Sequence, residues 1–515
     1  MSRYAAIDIG SNSIRLLVAE VEPGPPIRDL ESERQVVRLG ASVFRGGKLG
    51  AVEMNAACQA LARMAEHFRR REVLAVRAVG TAALRDASNK KVFLDRAGQI
   101  LGTRVEVISG LEEARLIHLG VQSRWSQTGK RVLMVDIGGG SAELILSENG
   151  HLVEAFSKPL GALRLTGLFM KDSTNPIDVR ELARMAKYIE ERLIGPIARI
   201  GQAPLDRMIA TSATASAAIC AANGIRRSQR EMADRMSATS AQIRILSEDL
   251  ATRSLADRAK VTGIGPRRAE IIVAGIHVLS QIADRLRMRH VYYSAAGVRD
   301  GIIADLAARR VGTEQARLET DQKQVVRSIS KRYGMNPAHV RKVSELAASL
   351  FDGLRSLHGL APAQSRLLEA AAYLYNIGHF VNEARHHRHS MYLVANSDLP
   401  GFAARERLVV ANLCRYHRKS MPSLAHEPFE ALSPDDQRVV VLLTPLLRLA
   451  VALDQSQEQR VVRVDPVWDG RAVELRLSTD QDVDIEQWHA SQVAAQFRQV
   501  YGVGFTVKVR RTSSA

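Results

Sequence analysis

Two short segments of the chain combine an aspartate with a run of small residues, a composition that suits phosphate binding. They are residues 8–13 and 136–141, each directly after an apolar run, and they align without gaps at an offset of 128 residues. Small residues leave backbone N–H groups accessible to an anion. Asp8 and Asp136 supply the oxygen ligands that Mg²⁺ prefers, or could orient an attacking water. The pair predicts two matching loops that hold successive phosphates of one ligand.

The small residues of both loops are the candidate phosphate ligands. They are Gly10, Ser11, Asn12, Ser13, Gly138, Gly139, Gly140 and Ser141. Either loop alone is more simply an ordinary hairpin whose serine closes the turn, but the in-register pair favours phosphate binding. Ser11 and Asn12 stand where the second loop has glycines. We therefore interpret the first loop as a side-chain-assisted grip and the second as a backbone cradle.

Two glutamates follow Ser109 at the predicted start of a helix. Glu112 fits a capping box with Ser109, and both carboxylates suit the helix dipole. Glu113 is also a candidate general base, which would take a proton from water that attacks a phosphoanhydride. The residues alone leave both interpretations of Glu113 open. Arg85 follows a predicted strand and could clamp phosphate charge, although a surface ion pair is the commoner role for an arginine.

The apolar pattern predicts the elements that position these residues. A strand, a turn and a strand surround each loop, and helices and strands then alternate as far as about residue 308. A repeat of this length implies two related α/β domains. Helical patterns follow one another from about residue 313 to 454, and alternating residues return afterwards. The predicted domains are residues 1–125, 126–310, 311–455 and 456–515.

Composition limits the class of protein and of ligand. The chain has 515 residues and a net charge of +17 that is spread along its length. Such a charge suits polyanions, among them polyphosphate, nucleotides and nucleic acid, or else reflects a host with basic proteins. The three cysteines lack metal-ligand spacing and fit reduced thiols. No signal-peptide pattern or long unbroken apolar run is present, so we expect a soluble cytoplasmic protein, with peripheral membrane attachment as the alternative.

Four motifs together resemble one enzyme family. They are Ala-Ile-Asp-Ile-Gly-Ser-Asn-Ser from Ala6, Gly-Thr-Ala-Ala-Leu-Arg-Asp from Gly80, Ile-Ser-Gly-Leu-Glu-Glu-Ala-Arg-Leu-Ile from Ile108, and Val-Asp-Ile-Gly-Gly-Gly-Ser-Ala-Glu-Leu from Val135. This combination resembles the exopolyphosphatase and guanosine pentaphosphatase (Ppx/GppA) family. The resemblance implies a duplicated actin-like, ribonuclease H-like α/β fold, followed by an all-α domain related to HD phosphohydrolases and a small C-terminal α/β domain.

The same resemblance implies an activity. Terminal orthophosphate is removed stepwise from inorganic polyphosphate, and guanosine pentaphosphate is a further substrate that is converted to the tetraphosphate. Glu113 activates water and Arg85 contacts the phosphate chain. Asp8, Asp136 and Glu143 hold Mg²⁺, and K⁺ is a second cation to consider. The expected partners are these phosphate compounds and a second copy of the chain in a homodimer, without nucleic acid.

Three places depart from the family pattern. Thr211-Ser-Ala-Thr214 stands where relatives carry a glycine turn, and Gly161-Ala162 stands where some carry Gly-Cys. Leu374-Tyr-Asn-Ile-Gly replaces the adjacent His and Asp of an HD site, so we predict no second metal-dependent active site. A structural or polyanion-binding role is assigned to the nearby histidines, which are His379, His386, His387, His389 and His417.

The helical half is basic, and long polyphosphate chains are expected to extend onto it. The candidate contacts are Arg388, His389, Arg415 and Lys419. One alternative to a hydrolase is a kinase of the same fold, but the chain lacks a glycine-rich adenosine loop beyond Ala295-Ala-Gly297. Another is a weakly catalytic sensor of guanosine tetraphosphate or polyphosphate, which the presence of Glu113 argues against.

Overall fold

Both aspartate-led loops join antiparallel strands in the computed structural model, which describes residues 2–22, 27–170, 172–308, 318 and 320–511. In the first loop the Gly10 N–H donates to the Ser13 carbonyl at 3.1 Å, and in the second the Gly138 N–H donates to the Ser141 carbonyl at 3.0 Å. The predicted strand–turn–strand units are therefore confirmed.

The chain divides into two compact units, residues 1–312 and 313–515. The strands of the first unit are β1 Ser2–Ile9, β2 Ser13–Val21, β3 Ile27–Val36, β4 Ala75–Gly80, β5 Val105–Val107, β6 Arg131–Ile137, β7 Ala142–Glu148, β8 His151–Lys158, β9 Arg207–Thr211, β10 Ser237–Thr239 and β11 His290–Tyr293. Its α-helices are α1 Gly40–Gly46, α2 Ala51–Arg70, α3 Ala82–Asp86, α4 Lys90–Leu101, α5 Gly110–Arg124, α6 Ala162–Phe169, α7 Val179–Ile200, α8 Ser212–Ala222, α9 Ser240–Ala251, α10 Leu255–Lys260, α11 Pro266–Ala269, α12 Ile272–Arg285 and α13 Val298–Ala308.

The first unit contains two sheets with related strand order. The first runs β3-β2-β1-β4-β5 and the second runs β10-β11-β9-β6-β7-β8. In each sheet the strand before the loop pairs antiparallel with the strand after it and parallel with a later strand, β4 or β9. Parallel pairing needs a crossover, which the intervening helices supply. The predicted duplication of an α/β domain is confirmed.

Helix α13 departs from the predicted second domain. Its residues Ile302, Ile303 and Leu306 are buried in a cluster with Tyr4 and Leu17 of the first sheet. The chain therefore returns to the first sheet after β11. The boundary at residue 310 stays a prediction, and the structure adds that α13 packs on the first sheet, a contact between distant segments that no local pattern shows.

A buried ion network fixes the helix that carries Glu113. Arg115 bonds both Glu112 and Asp305, and Arg77 bonds the same two carboxylates from β4. Ser109 does cap α5, since its Oγ accepts from the Glu112 N–H at 3.1 Å. The Glu112 carboxylate, however, faces these arginines rather than completing a capping box. The network joins β4, α5 and α13 and so fixes the first turn of α5.

The second unit begins with helices and ends with a small sheet. Its α-helices are α14 Thr320–Arg332, α15 Pro337–Gly353, α16 Arg355–His358, α17 Ser365–Leu374, α18 His386–Asn396, α19 Ala404–Tyr416, α20 Glu427–Glu430, α21 Pro434–Ala452, α22 Asp484–Ser491 and α23 Ala494–Tyr501. Strands β12 Arg463–Trp468, β13 Val473–Thr479 and β14 Phe505–Arg511 form the sheet. Across the described ranges, none of the helices has the length and apolarity that crossing a bilayer requires.

The apolar pattern predicts one continuous helix over residues 266–287 and another over residues 485–499, and the structure divides each of them. The pattern over residues 266–287 becomes α11 and α12, and that over residues 485–499 becomes α22 and α23. Between α11 and α12, Ile271 is buried against Ala162 and Leu163 of α6. Burial of this side chain outweighs the local preference for a continuous helix.

Candidate active site

The carbonyl groups of the second loop are tied back to α6. The Ala162 N–H donates to the Gly138 carbonyl at 2.9 Å, and Arg164 donates to Gly139 from its N–H at 3.0 Å and to Gly140 from Nε at 2.7 Å. In a trans peptide the C=O and the next N–H point in opposite directions. The N–H groups of Gly139, Gly140 and Ser141 therefore point away from α6, the arrangement that binds phosphate oxygens.

The first loop is held in the same way. The Gly40 N–H donates to the Ser11 carbonyl at 2.8 Å, while the N–H groups of Val37 and Arg38 donate to the Asn12 carbonyl at 3.2 and 3.1 Å. The N–H groups of Asn12 and Ser13 consequently point away from this segment. Both loops thus present consecutive backbone N–H donors. Ala162 stands where some relatives carry a cysteine, but its contribution to the second loop is a backbone hydrogen bond, which does not depend on a thiol.

The two loops also pack against each other, which gives some of their residues a second role. A Cβ on Gly140 would lie 2.6 Å from the Ala82 Cβ and 2.8 Å from the Ser11 Oγ. Ser11 is buried and its Oγ accepts from the Ala83 N–H at 3.1 Å. Close packing accounts for Gly140, while Gly10, Gly138 and Gly139 remain partly exposed.

Glu113 and Arg85 meet, as the resemblance implied for residues of one site. Arg85 Nη1 lies 2.8 Å from Glu113 Oε2 and also donates to the Ile108 carbonyl at 3.0 Å. Burial, opposed by Arg85 and reinforced by the charges of Asp8 and Asp136, raises the pKa of Glu113 to about 7. A carboxylate with this pKa is suited to take a proton near neutral pH.

Glu143 completes an acidic group, by which we mean Asp8, Glu113, Asp136 and Glu143. Its side chain is fully buried, and Oε1 accepts from the Ser157 Oγ at 2.8 Å. Within the described part of the chain Oε2 has no hydrogen-bond partner. Burial, reinforced by the charges of Glu113 and Asp136, raises the pKa of Glu143 well above its ordinary value.

The acidic group fits a divalent cation without preforming its full ligand shell. The described residues contain no group of three or more His, Cys, Asp or Glu side chains that converges as a metal site. Mg²⁺ usually keeps several waters and takes one or two carboxylates together with substrate phosphates. The free Oε2 of Glu143 and the partly exposed carboxylates of Asp8 and Asp136 suit that mode of binding.

Sequence reasoning missed a set of arginines beside the aspartates. This arginine cluster consists of Arg15, Arg34, Arg230, Arg268 and Arg299. The strongest charges that act on Arg34 are the other four members. Burial, with repulsion from Arg15, lowers the pKa of Arg34 to about 9 and that of Arg268 to about 10. A bound anion would reduce the repulsion between positive charges that are packed this closely.

The hairpin register explains why the two repeats differ in charge. Asp8 pairs with Arg15 across the first hairpin, and Asp136 pairs with Glu143 across the second. Arg15 and Glu143 are equivalent positions, since they too are 128 residues apart. The same alignment that matched the loops could have identified Arg15. Arg34 and Arg299 gave no such signal, because they reach the site from β3 and α13.

In the segment Thr211–Thr214, where relatives carry a glycine turn, Ser212 adopts the backbone conformation that a glycine would favour. Its φ is +77°, in the left-handed region that disfavours a side chain. We expect Ser212→Gly to raise the free energy of unfolding by about 1 kcal/mol, because it removes this strain. Thermal and denaturant unfolding measure the change. Ala213→Gly, one residue further into α8, is the matched control and should lower stability; equal effects of both would contradict the explanation.

The pKa of Glu113 predicts a pH dependence. If Glu113 is the general base that the resemblance implies, it must be ionised to act, so kcat/KM should rise with pH and level off above a midpoint near 7. Arg85 stabilises the Glu113 anion, so Arg85→Gln should move that midpoint to higher pH. Initial rates between pH 5.5 and 9 provide the test, at substrate concentrations well below KM. A midpoint that Arg85→Gln leaves unchanged would show that another group controls the profile.

The residues predicted to contact long chains lie in the second unit. Arg388 and His389 are on α18, Arg415 is on α19, and Lys419 follows that helix. The histidine rings near them cluster, with His386 stacked on His417 at 5.5 Å between centroids and 4.8 Å from His379. Leu374-Tyr-Asn-Ile-Gly lies at the end of α17.

Sequence comparisons match both units to one family. The profile of the Ppx/GppA phosphatase family matches residues 17–310, and that of Ppx/GppA phosphatase domain III matches residues 322–492. Relatives from Vibrio campbellii and Vibrio parahaemolyticus, both named guanosine-5'-triphosphate,3'-diphosphate pyrophosphatase, are 27% and 28% identical over 500 and 501 residues. Each alignment covers 94% of this chain and 96% of the relative.

Solved structures resemble the first part of the chain. The Aquifex aeolicus Ppx/GppA enzyme is 27% identical with a TM-score of 0.52, and the match covers 59% of this chain and 99% of that one. An exopolyphosphatase-like protein is 25% identical with a TM-score of 0.57, over 60% of this chain and 99% of its own.

Proposed function

Because the chain belongs to the Ppx/GppA phosphatase family, we propose that it hydrolyses the terminal phosphoanhydride of guanosine 5′-triphosphate 3′-diphosphate. Inorganic polyphosphate is the second substrate of this proposal. The observation that carries the choice is that the two loop aspartates belong to the acidic group and also feel the charge of the arginine cluster. Arg15 and Arg299 act on Asp8, and Arg15 and Arg268 act on Asp136.

The two regions match the two phosphate arms of that nucleotide. The 5′ arm ends in the phosphoanhydride to be cleaved, so it belongs beside Glu113 and the loop N–H groups. The 3′-diphosphate is an anion that undergoes no reaction, and the arginine cluster supplies charge without a base. A linear polyphosphate would span both regions with one chain, which is why it remains a substrate.

In the reaction we propose, Glu113 takes a proton from water as the water oxygen attacks the terminal phosphorus. The bond from that phosphorus to the bridging oxygen breaks, which releases orthophosphate and guanosine 5′-diphosphate 3′-diphosphate. The N–H groups of both loops and the guanidinium of Arg85 stabilise the charge on the transferred group. Mg²⁺, held by Asp8, Asp136 and Glu143, would neutralise phosphate charge when bound.

A substrate comparison tests this proposal. The purified protein is incubated with Mg²⁺ and with guanosine 5′-triphosphate 3′-diphosphate, GTP or long-chain polyphosphate, and orthophosphate and nucleotide products are quantified by ion-exchange chromatography. We expect kcat/KM to be higher for the pentaphosphate than for GTP, which lacks only the 3′-diphosphate. Release from neither the pentaphosphate nor polyphosphate would refute a phosphohydrolase. A preference for polyphosphate would make exopolyphosphatase the principal activity.

The organisation of the second unit and the assembly are part of the proposal. Its helical region is proposed to be related to HD phosphohydrolases and to lack their metal chemistry, and the chain is proposed to form a homodimer in the cytoplasm. Analytical ultracentrifugation of the purified protein tests the dimer. A monomer at micromolar concentration would contradict it.

A further inference from the structure

One arginine of α6 contacts both repeats of the duplicated fold. Arg164 comes after the second loop in the chain, yet its guanidinium reaches two helices of the first repeat. Nη2 donates to Oδ2 of Asp86, at the end of α3, over 2.5 Å. The guanidinium carbon lies 4.0 Å from the centroid of the Phe44 ring on α1. This one side chain therefore joins α6 to both α3 and α1.

The same guanidinium is bonded to the second phosphate loop. Its Nε donates to the Gly140 carbonyl at 2.7 Å, and this bond directs the next N–H, that of Ser141, away from α6. The Arg164 side chain is 18% exposed. A hydrogen bond from a charged donor is shorter and stronger than one between neutral groups. Arg164 thus orients one of the backbone donors that face the phosphate.

Asp86 connects this contact to the arginine beside Glu113. It directly follows Arg85, whose Nη1 lies 2.8 Å from Glu113 Oε2. Helix α3 has only five residues, and the Arg85 N–H donates to the Thr81 carbonyl at 3.0 Å. A helix of this length has little stability of its own. The position of Arg85 therefore depends on what holds the last residue of α3.

Phe44 packs beside both loops. A Cβ on Gly140 would lie 2.6 Å from Phe44 Cζ, and a Cβ on Gly40 would lie 2.5 Å from Phe44 Cε2. Gly40 supports the first loop, because its N–H donates to the Ser11 carbonyl at 2.8 Å. Arg164 lies over the same ring, and such a contact between a cation and an aromatic face strengthens where water is excluded. Arg164 is thereby fixed against the support of the first loop as well.

We propose that Arg164 is a positioning residue for the reaction, which holds the second phosphate loop in register with Arg85. The inference rests on the proposed function and deepens it. Arg164 acts through the Ser141 N–H and through Arg85, the groups that stabilise charge on the transferred phosphate. Interactions that strengthen in the transition state raise kcat more than they lower KM. The role of Arg164 should therefore appear in turnover rather than in affinity.

Kinetics of three variants test this role. Arg164→Gln should lower kcat by about tenfold to a hundredfold and change KM by less than about threefold, the expected result of a small displacement of catalytic groups. Asp86→Asn should also lower kcat, and the double variant should be no slower than Arg164→Gln alone, because both changes break one connection. Arg164→Lys should stay impaired, since one ammonium cannot bond the Gly140 carbonyl and Asp86 together. Initial rates of orthophosphate release give both constants.

Two kinetic outcomes would overturn the proposal. Full turnover in Arg164→Lys would show that a positive charge at this position is sufficient without the geometry of a guanidinium. Effects of Arg164→Gln and Asp86→Asn that multiply in the double variant would show that the two side chains act separately. The Asp86 side chain is 42% exposed, so the second variant should fold.

The control removes contacts of the same two kinds between α7 and β8. Arg199 pairs with Glu154, and its guanidinium carbon lies 6.0 Å from the centroid of the Phe156 ring. Arg199→Gln should leave kcat and KM unchanged. A loss of turnover equal to that of Arg164→Gln would overturn the proposal, because it would show a general effect of removing an arginine.

Hydrogen exchange of the substrate-free, full-length protein tests the connection without turnover. Peptides that span residues 81–88 and 138–144 are followed by mass spectrometry. Arg164→Gln should accelerate exchange in the first range, and Asp86→Asn in the second, by at least about threefold, because each range loses a restraint from the other repeat. Unchanged exchange in both would overturn the proposal. If the protein hydrolyses neither substrate, the proposed function fails, while accelerated exchange still supports the connection through Arg164.

Discussion

Glu113→Gln should lower the turnover number for guanosine 5′-triphosphate 3′-diphosphate by about 10² to 10⁴, the usual contribution of a positioned general base. Glutamine has the shape of glutamate but cannot accept the proton of the attacking water. Arg85 loses its charged partner, so a small change in KM is expected as well. The measurement is orthophosphate release under single-turnover conditions, which separates chemistry from product release.

The matched control for this substitution is Glu148→Gln. Glu148 lies in β7, on the same hairpin as Glu143, and its side chain is 42% exposed beside Arg131. It should leave turnover unchanged within about twofold, as is usual for a surface change away from the site. Turnover by Glu113→Gln that equals the wild-type value, with the same fold by circular dichroism, would assign the base to another residue.

Arg268→Gln should have opposite effects on substrate affinity and on stability. Removal of one guanidinium should raise KM for guanosine 5′-triphosphate 3′-diphosphate by about tenfold or more, the value of one charge-assisted contact. KM for GTP should change less, because GTP has no 3′-diphosphate. These constants follow from initial rates with both nucleotides.

The same substitution should raise the melting temperature of the ligand-free protein. The pKa of Arg268 is lowered in the folded state, by burial and by repulsion from Arg15, so at neutral pH its positive charge opposes folding. Its removal abolishes that cost. Arg267→Gln, an exposed arginine at the adjacent position, is the control and should change neither quantity. A lower melting temperature for Arg268→Gln would show that the arginine cluster is stabilised by partners rather than strained.

The apolar pattern predicts no strand over residues 27–36 or 151–158, where the structure has β3 and β8. β3 is rich in charged residues, with none of its side chains fully buried, and β8 is likewise only partly buried. Both lie at the end of the antiparallel part of their sheets. An edge strand is held by backbone hydrogen bonds to a single neighbour and buries few of its own side chains, so alternation of apolar residues does not reveal it.

The sequence was sufficient to predict the paired loops and their hairpin geometry and to indicate the family, because each motif involved lies within a short segment of the chain. It also indicated Glu113, though only the resemblance separated a base from a helix cap. Tertiary packing sets the environment of that residue, since the pKa of Glu113 depends on burial and on Asp8, Arg85 and Asp136. It alone assembled the arginine cluster, because Arg34 and Arg299 come from separate elements and electrostatic coupling follows distance in space rather than along the chain.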